Sequence, residues 1–191
     1  MNALASIRAA PIDFDLGGWT FTIPAMNAAD WLLVLAERAP SAVVPGLLHP
    51  DDQLRIMRDL LGGHCTPEDV LAAARQVIQV AGGRRWWSVQ RLVDSALDPQ
   101  AWPVLDGQMA LEGVDLERIT LARFINAIFV LALRGCEKQT DRDRLIWEIE
   151  KPPSGHAEEV EGTSEDELLA MLGDQARISG AGGQQMIGRG P

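Results

Sequence analysis

A mainly helical domain that opens with a β-hairpin and ends in a disordered acidic, glycine-rich tail is the architecture this sequence predicts, and three observations predict it. Two short runs of alternating apolar and polar residues flank Gly17-Gly18 near the N-terminus. From Asn27 to Pro153 the apolar residues recur at helical spacing, punctuated by Asn and Thr caps, prolines and glycines. After Pro153 acidic residues and then glycines dominate, and one short apolar island interrupts them. The boundaries read as a flexible N-terminus over 1–11, a helical domain with its N-terminal hairpin over 12–152, and an acidic tail over 153–191.

In the hairpin, Ile12, Phe14 and Leu16 alternate with Asp13 and Asp15, and Trp19, Phe21 and Ile23 alternate with Thr20 and Thr22. Each arm therefore has one apolar face. Gly17 and Gly18 accept the positive φ that a two-residue turn demands, and Pro24 ends the second arm. A lone hairpin is marginal in water, so its apolar face is expected to pack on helices. Asn27 can cap a first helix through Glu37, with Trp31, Leu32 and Leu35 on one side. Pro50 suits a first helical position, and Leu54, Met57 and Leu61 form a stripe along the helix that it opens.

Thr66-Pro67-Glu68-Asp69 is a strong start signal: a hydroxyl cap, Pro at the first position and acids near the positive end of the helix dipole. Val70, Ala74, Val77 and Ala81 then line one face, and Gly82-Gly83 stops the helix. The next helix runs from about Arg84 to Leu97, with Trp86, Val89, Val93 and Leu97 on its buried side. Pro99 and Pro103 mark a connection, and the glycines at 107 and 113 make residues 104–115 read as irregular or short extended structure. Thr120 can cap a helix from Leu121 to Arg134 that is apolar nearly all round, hence expected at the centre of the domain. Gly135 ends it. Thr140 begins the last helix of the domain, with Leu145, Ile146 and Ile149 inward. Within the tail, Ser164-Glu165-Asp166-Glu167 is a capping box ahead of Leu168, Leu169, Met171 and Leu172, which predicts one short helix at about 164–173. Such a helix is marginal alone, so it reads as a segment that folds on a partner.

Charge and chemistry exclude more than they assign. The net charge of −10 disfavours nucleic acid, whose phosphates are bound by clustered Lys and Arg. The most apolar stretch, Leu121 to Leu133, is interrupted by Arg123 and Asn126 and is well short of the ~20 residues that cross a bilayer, so no membrane partner is expected. The N-terminus has no basic region followed by a long apolar run, which argues against a secretory signal. Cys65 and Cys136 are far apart and read as free thiols in a reducing cytosol. His64-Cys65 is the one adjacent pair of soft ligands, and a zinc site needs about four. Carboxylate pairs such as Asp51-Asp52 sit where helix starts favour acids. No cofactor, metal or catalytic site is expected, and the chain reads as a binding protein.

For binding, two places stand out. Trp87 falls off the apolar stripe of its helix, with Arg91 four residues on, and an exposed Trp beside Arg is a typical interface anchor. The acidic helix with Leu168, Leu169, Met171 and Leu172 could dock on a helical or basic partner.

Three stretches carry a family resemblance: Trp19-Thr-Phe-Thr-Ile-Pro followed by Ala29-Asp30-Trp31; the Trp102-to-Gly113 region ending Gly113-Val114-Asp115; and the apolar helix Leu121-Ala-Arg-Phe-Ile-Asn-Ala-Ile-Phe. In this order, over about residues 13–150, the chain resembles tail assembly chaperones of long-tailed bacteriophages that infect actinobacteria. The resemblance implies a non-enzymatic, mainly helical protein of the host cytoplasm that coats the long helical tape-measure protein, or binds another helical tail protein, during tail assembly. On that reading the helical domain supplies a groove for the client helix, with Trp31, Trp87 and Phe124 as contacts. Self-association also stands open, and the rival expectation is a head–tail connector or other structural subunit of the virion.

Overall fold

The computed structural model describes residues 9–37 and 40–154. It is mainly helical with an N-terminal antiparallel hairpin, as the sequence predicts. The strands are β1 (Ile12–Leu16) and β2 (Trp19–Ile23). The helices are α1 (Ala28–Glu37), α2 (Pro40–Leu47), α3 (Pro50–Leu61), α4 (Pro67–Gly82), α5 (Trp86–Ala96), α6 (Trp102–Leu111), α7 (Leu121–Arg134) and α8 (Gln139–Glu150). All of them belong to one compact unit that ends at Lys151. The tail helix expected at 164–173, with Leu168, Leu169, Met171 and Leu172, lies outside the described residues, as do residues 1–8.

The hairpin follows its alternation except at Trp19, which is exposed at the tip. Gly17 and Gly18 take φ of +60° and +81°, and the register pairs Ile12 with Ile23, Phe14 with Phe21 and Leu16 with Trp19. On one face the Phe14 and Phe21 rings stack at 5.5 Å, and both are buried with Leu16 and Ile23. On the other, the hydroxyls of Thr20 and Thr22 donate to the carboxylates of Asp15 and Asp13 at 2.6 and 2.7 Å. The apolar face needs a partner, and β1 lies against α4.

Helices α4, α5 and α7 pack pairwise, and α1 covers α5 and α7. Val77, Ile78, Val89, Val93, Phe124 and Ile125 are fully buried there. The start of α4 is a capping box: Thr66 Oγ1 accepts from the Asp69 amide at 3.2 Å, and Asp69 Oδ2 accepts from the Thr66 amide at 2.8 Å. At its other end Gly83 is left-handed, φ +68°, and closes the helix. Beside it, Gly82 lets α4 approach α5 so closely that an added Cβ would run into the Val89 side chain. Helix α1 is capped by Asn27 Oδ1, which accepts from the Asp30 amide at 2.9 Å. Its first N–H groups are also met from the loop before α7: Ala28 donates to the Ile119 carbonyl at 2.8 Å and Ala29 to that of Leu116 at 3.3 Å. Those donors have no partner within their own helix.

Four expectations are corrected. Residues 104–115 are not irregular: α6 occupies most of them, because Pro103 falls in the first turn, where no intrahelical N–H is needed, and Gly113 at φ +68° supplies the stop. The stripe Leu54, Met57 and Leu61 faces outward at 60%, 59% and 88% exposure, and Ile56 is the buried residue of α3. The covered side is the one that carries Gln53, Ile56 and Leu60, and α3 packs there on α2. The hairpin tip touches an adjoining edge: the Arg55 guanidinium lies 4.7 Å from the centre of the Trp19 ring, and Asp59 sits close beside Gly17. Helix α7 is central only in its first half; Val130 is 45% exposed. Finally, α8 begins at Gln139 rather than Thr140, and of its expected inward residues Ile149 alone is buried, Leu145 and Ile146 being half-covered.

Candidate helix-binding cleft

Trp31, Trp87 and Phe124, the aromatic contacts expected from the sequence, all lie in the core, at 3%, 4% and 0% exposure. Trp31 has no other place to go on an amphipathic α1, and Phe124 faces the centre from α7. Trp87 is the instructive correction. A single stripe on α5 excludes it, but α5 is covered on two sides, by α1, α4 and α7 and again by α8. Its buried arc therefore widens to Trp87, Ser88, Val89, Leu92, Val93 and Ala96. Trp86 takes the half-buried position instead, edge-on to Trp87 at 5.7 Å and beneath the Arg75 guanidinium at 4.6 Å.

Arg91 is likewise engaged within the molecule. Its Nη1 donates to the carbonyls of Glu148 at 2.6 Å, Ile149 at 3.1 Å and Lys151 at 2.6 Å. The neighbouring turns of α5 add to the same target. Ser88 Oγ donates to the Ile149 carbonyl at 3.1 Å, Trp87 Nε1 to that of Glu150 at 3.0 Å, and Arg84 Nη1 to the Glu150 carboxylate at 3.1 Å. Residues 87, 88 and 91 share one face of α5, and Arg84 reaches the same place from the turn before the helix. That face caps the C-terminal carbonyls of α8, where a guanidinium also meets the negative end of the helix dipole. Arg84, Trp87, Ser88 and Arg91 thus clamp the end of α8 to α5 within the same domain.

A concave apolar surface lies elsewhere among the described residues, between α6 and α7. A cleft of about 330 Å³ is lined by Met109 from α6, Val114 and Ile119 from the connecting loop, and Phe124, Ala127, Val130 and Leu131 from α7. Gln108 on α6, Glu112 just after it, and Asn126 and Arg134 on α7 supply its polar lips. Phe124 forms part of the floor, Met109 is 6% exposed, and Val130 is the accessible wall. Two helices with an apolar trough between them and polar edges match the stripe and flanks of an amphipathic helix. The sequence pattern alone does not reveal a trough here, because residues 104–115 read as irregular; Phe124 is part of its floor rather than an exposed contact.

Reactive groups do not gather at the cleft. Cys65 is 5% exposed in the turn between α3 and α4. Burial, with the carboxylates of Asp59 and Asp69 nearby, pushes its thiol above the ordinary pKa, the direction opposite to that of a thiolate nucleophile. Among the described residues there is no group of three or more His, Cys, Asp and Glu placed to hold a metal ion, and no helix long and apolar enough to cross a membrane. No protein-family model, curated protein or solved structure matches the chain.

Proposed function

We propose that this chain is a non-enzymatic assembly chaperone that holds an amphipathic helix in the cleft between α6 and α7. The client is the tape-measure protein, or another helical tail protein, of a long-tailed phage, bound in the host cytoplasm. The cleft carries the proposal: its apolar floor and polar lips suit a helix that exposes an apolar stripe before it is enclosed in a finished assembly. The order of sequence features shared with tail assembly chaperones supplies the identity of the client. The net charge of −10 supports the reading, since like charge keeps apolar clients and their carriers from coalescing.

Co-expression with the long helical tail protein tests it. The client becomes soluble and co-elutes with this chain, and mass spectrometry of purified virions lacks the chain. A chain that ignores the client and is present in the virion is a structural subunit instead.

A further inference from the structure

The outward face of α3 is a row of Pro50, Leu54, Met57 and Leu61, spaced four, three and four residues apart, all exposed. That spacing is the seam of a helix pair. None of its residues lines the α6–α7 cleft. Asp51 and Arg58 flank the row on one edge, seven residues apart and both exposed. Asp51 lies 3.6 Å from His49, with both side chains largely in solvent, and no ion pair joins Arg58 to another described residue.

We infer that α3 pairs antiparallel with α3 of a second copy of this chain. The charge pattern decides the occupant and the direction. About a twofold axis, Leu54 packs on Met57 of the second copy and Pro50 on Leu61 of the second copy. The same register sets Asp51 against Arg58 of the second copy, and symmetry repeats the ion pair. A parallel pairing sets Arg58 against Gln53 of the second copy and makes no ion pair. The surface is therefore complementary to itself in one orientation. Trp19, 49% exposed beneath Arg55, borders the charged edge and widens the patch. One short helix pair buries less than a standard interface, so the dimer is weak and concentration-dependent.

Sedimentation of the full chain from about 5 to about 500 µM tests this, with three kinds of variant. The wild type shows a monomer–dimer equilibrium. Leu61→Glu, at a site too exposed to disturb folding, weakens it by roughly tenfold or more. Arg58→Asp or Asp51→Arg alone turns two attractions into two repulsions and weakens it about four- to thirtyfold. Asp51→Arg combined with Arg58→Asp restores the wild-type constant to within about threefold. Failure of the combined swap to recover overturns the antiparallel register. A monomer at every concentration overturns the pairing and leaves the row to a helix of another protein.

Discussion

Replacing Arg91 by Ala removes the donor that closes the C-terminal end of α8. Three carbonyl bonds are lost, at 2.6, 3.1 and 2.6 Å. The bond to Ile149 is partly buried and charge-assisted, a kind that contributes about 1.5–3 kcal/mol. The other two are exposed, so water replaces most of what they supply, and together they add roughly 0.5–1 kcal/mol. The sum is about 2–4 kcal/mol, which for a domain of this size lowers the melting temperature by roughly 4–16 °C. The loss is local in origin: Ile149 stays buried and Ser88 and Trp87 still donate, so α8 loosens ahead of the α4–α5–α7 core. Thermal unfolding followed by circular dichroism reads the first effect, and amide hydrogen exchange resolved by helix reads the second. Arg91→Lys keeps the charge and retains part of the stability. A melting temperature within about 1 °C of wild type, with α8 amides as protected as before, refutes the clamp; a selective loss of client binding in that variant returns Arg91 to the interface.

Gly82→Ala forces a Cβ into the Val89 side chain and costs about 1–3 kcal/mol by denaturant unfolding; adding Val89→Ala makes room, so the double variant is less destabilised than the sum of the singles. At the start of α4, the Thr66 amide and hydroxyl hold the Asp69 carboxylate below its ordinary pKa. A depressed folded pKa contributes stability above the unfolded value and loses it as pH falls through the folded one. The gap in melting temperature between wild type and Asp69→Ala is therefore full at neutral pH and shrinks below about pH 4; a gap independent of pH contradicts the carboxylate cap.

The elements most legible in sequence are those fixed by local chemistry. The hairpin needs only its alternation and Gly17-Gly18, and α4 and α7 announce themselves through Thr66 and Thr120, whose hydroxyls accept from the Asp69 and Arg123 amides. Where tertiary packing decides, sequence falls short. The period of Leu54, Met57 and Leu61 establishes a helix but not which side α2 will cover. Pro103, Gly107 and Gly113 read as breakers, although Pro103 stands where a helix tolerates it and Gly113 where a helix ends. Helix α2 carries Pro45 inside it and gave no helical signal. A single stripe leaves Trp87 exposed, whereas α5 is covered from two sides. The cleft depends on α6 and α7 together, and a sequence in which residues 104–115 read as irregular does not reveal it.

The most direct test of the cleft is the affinity of the tape-measure helix for wild type and for Val130→Glu, measured by calorimetry beside their melting temperatures. Val130 is 45% exposed on the cleft wall, so the charge is tolerated in the free protein. A client helix that must bury its apolar stripe there loses roughly tenfold or more in affinity while the melting temperature is unchanged. Equal affinity in the two proteins would contradict the account, because the client would then bind somewhere other than between α6 and α7.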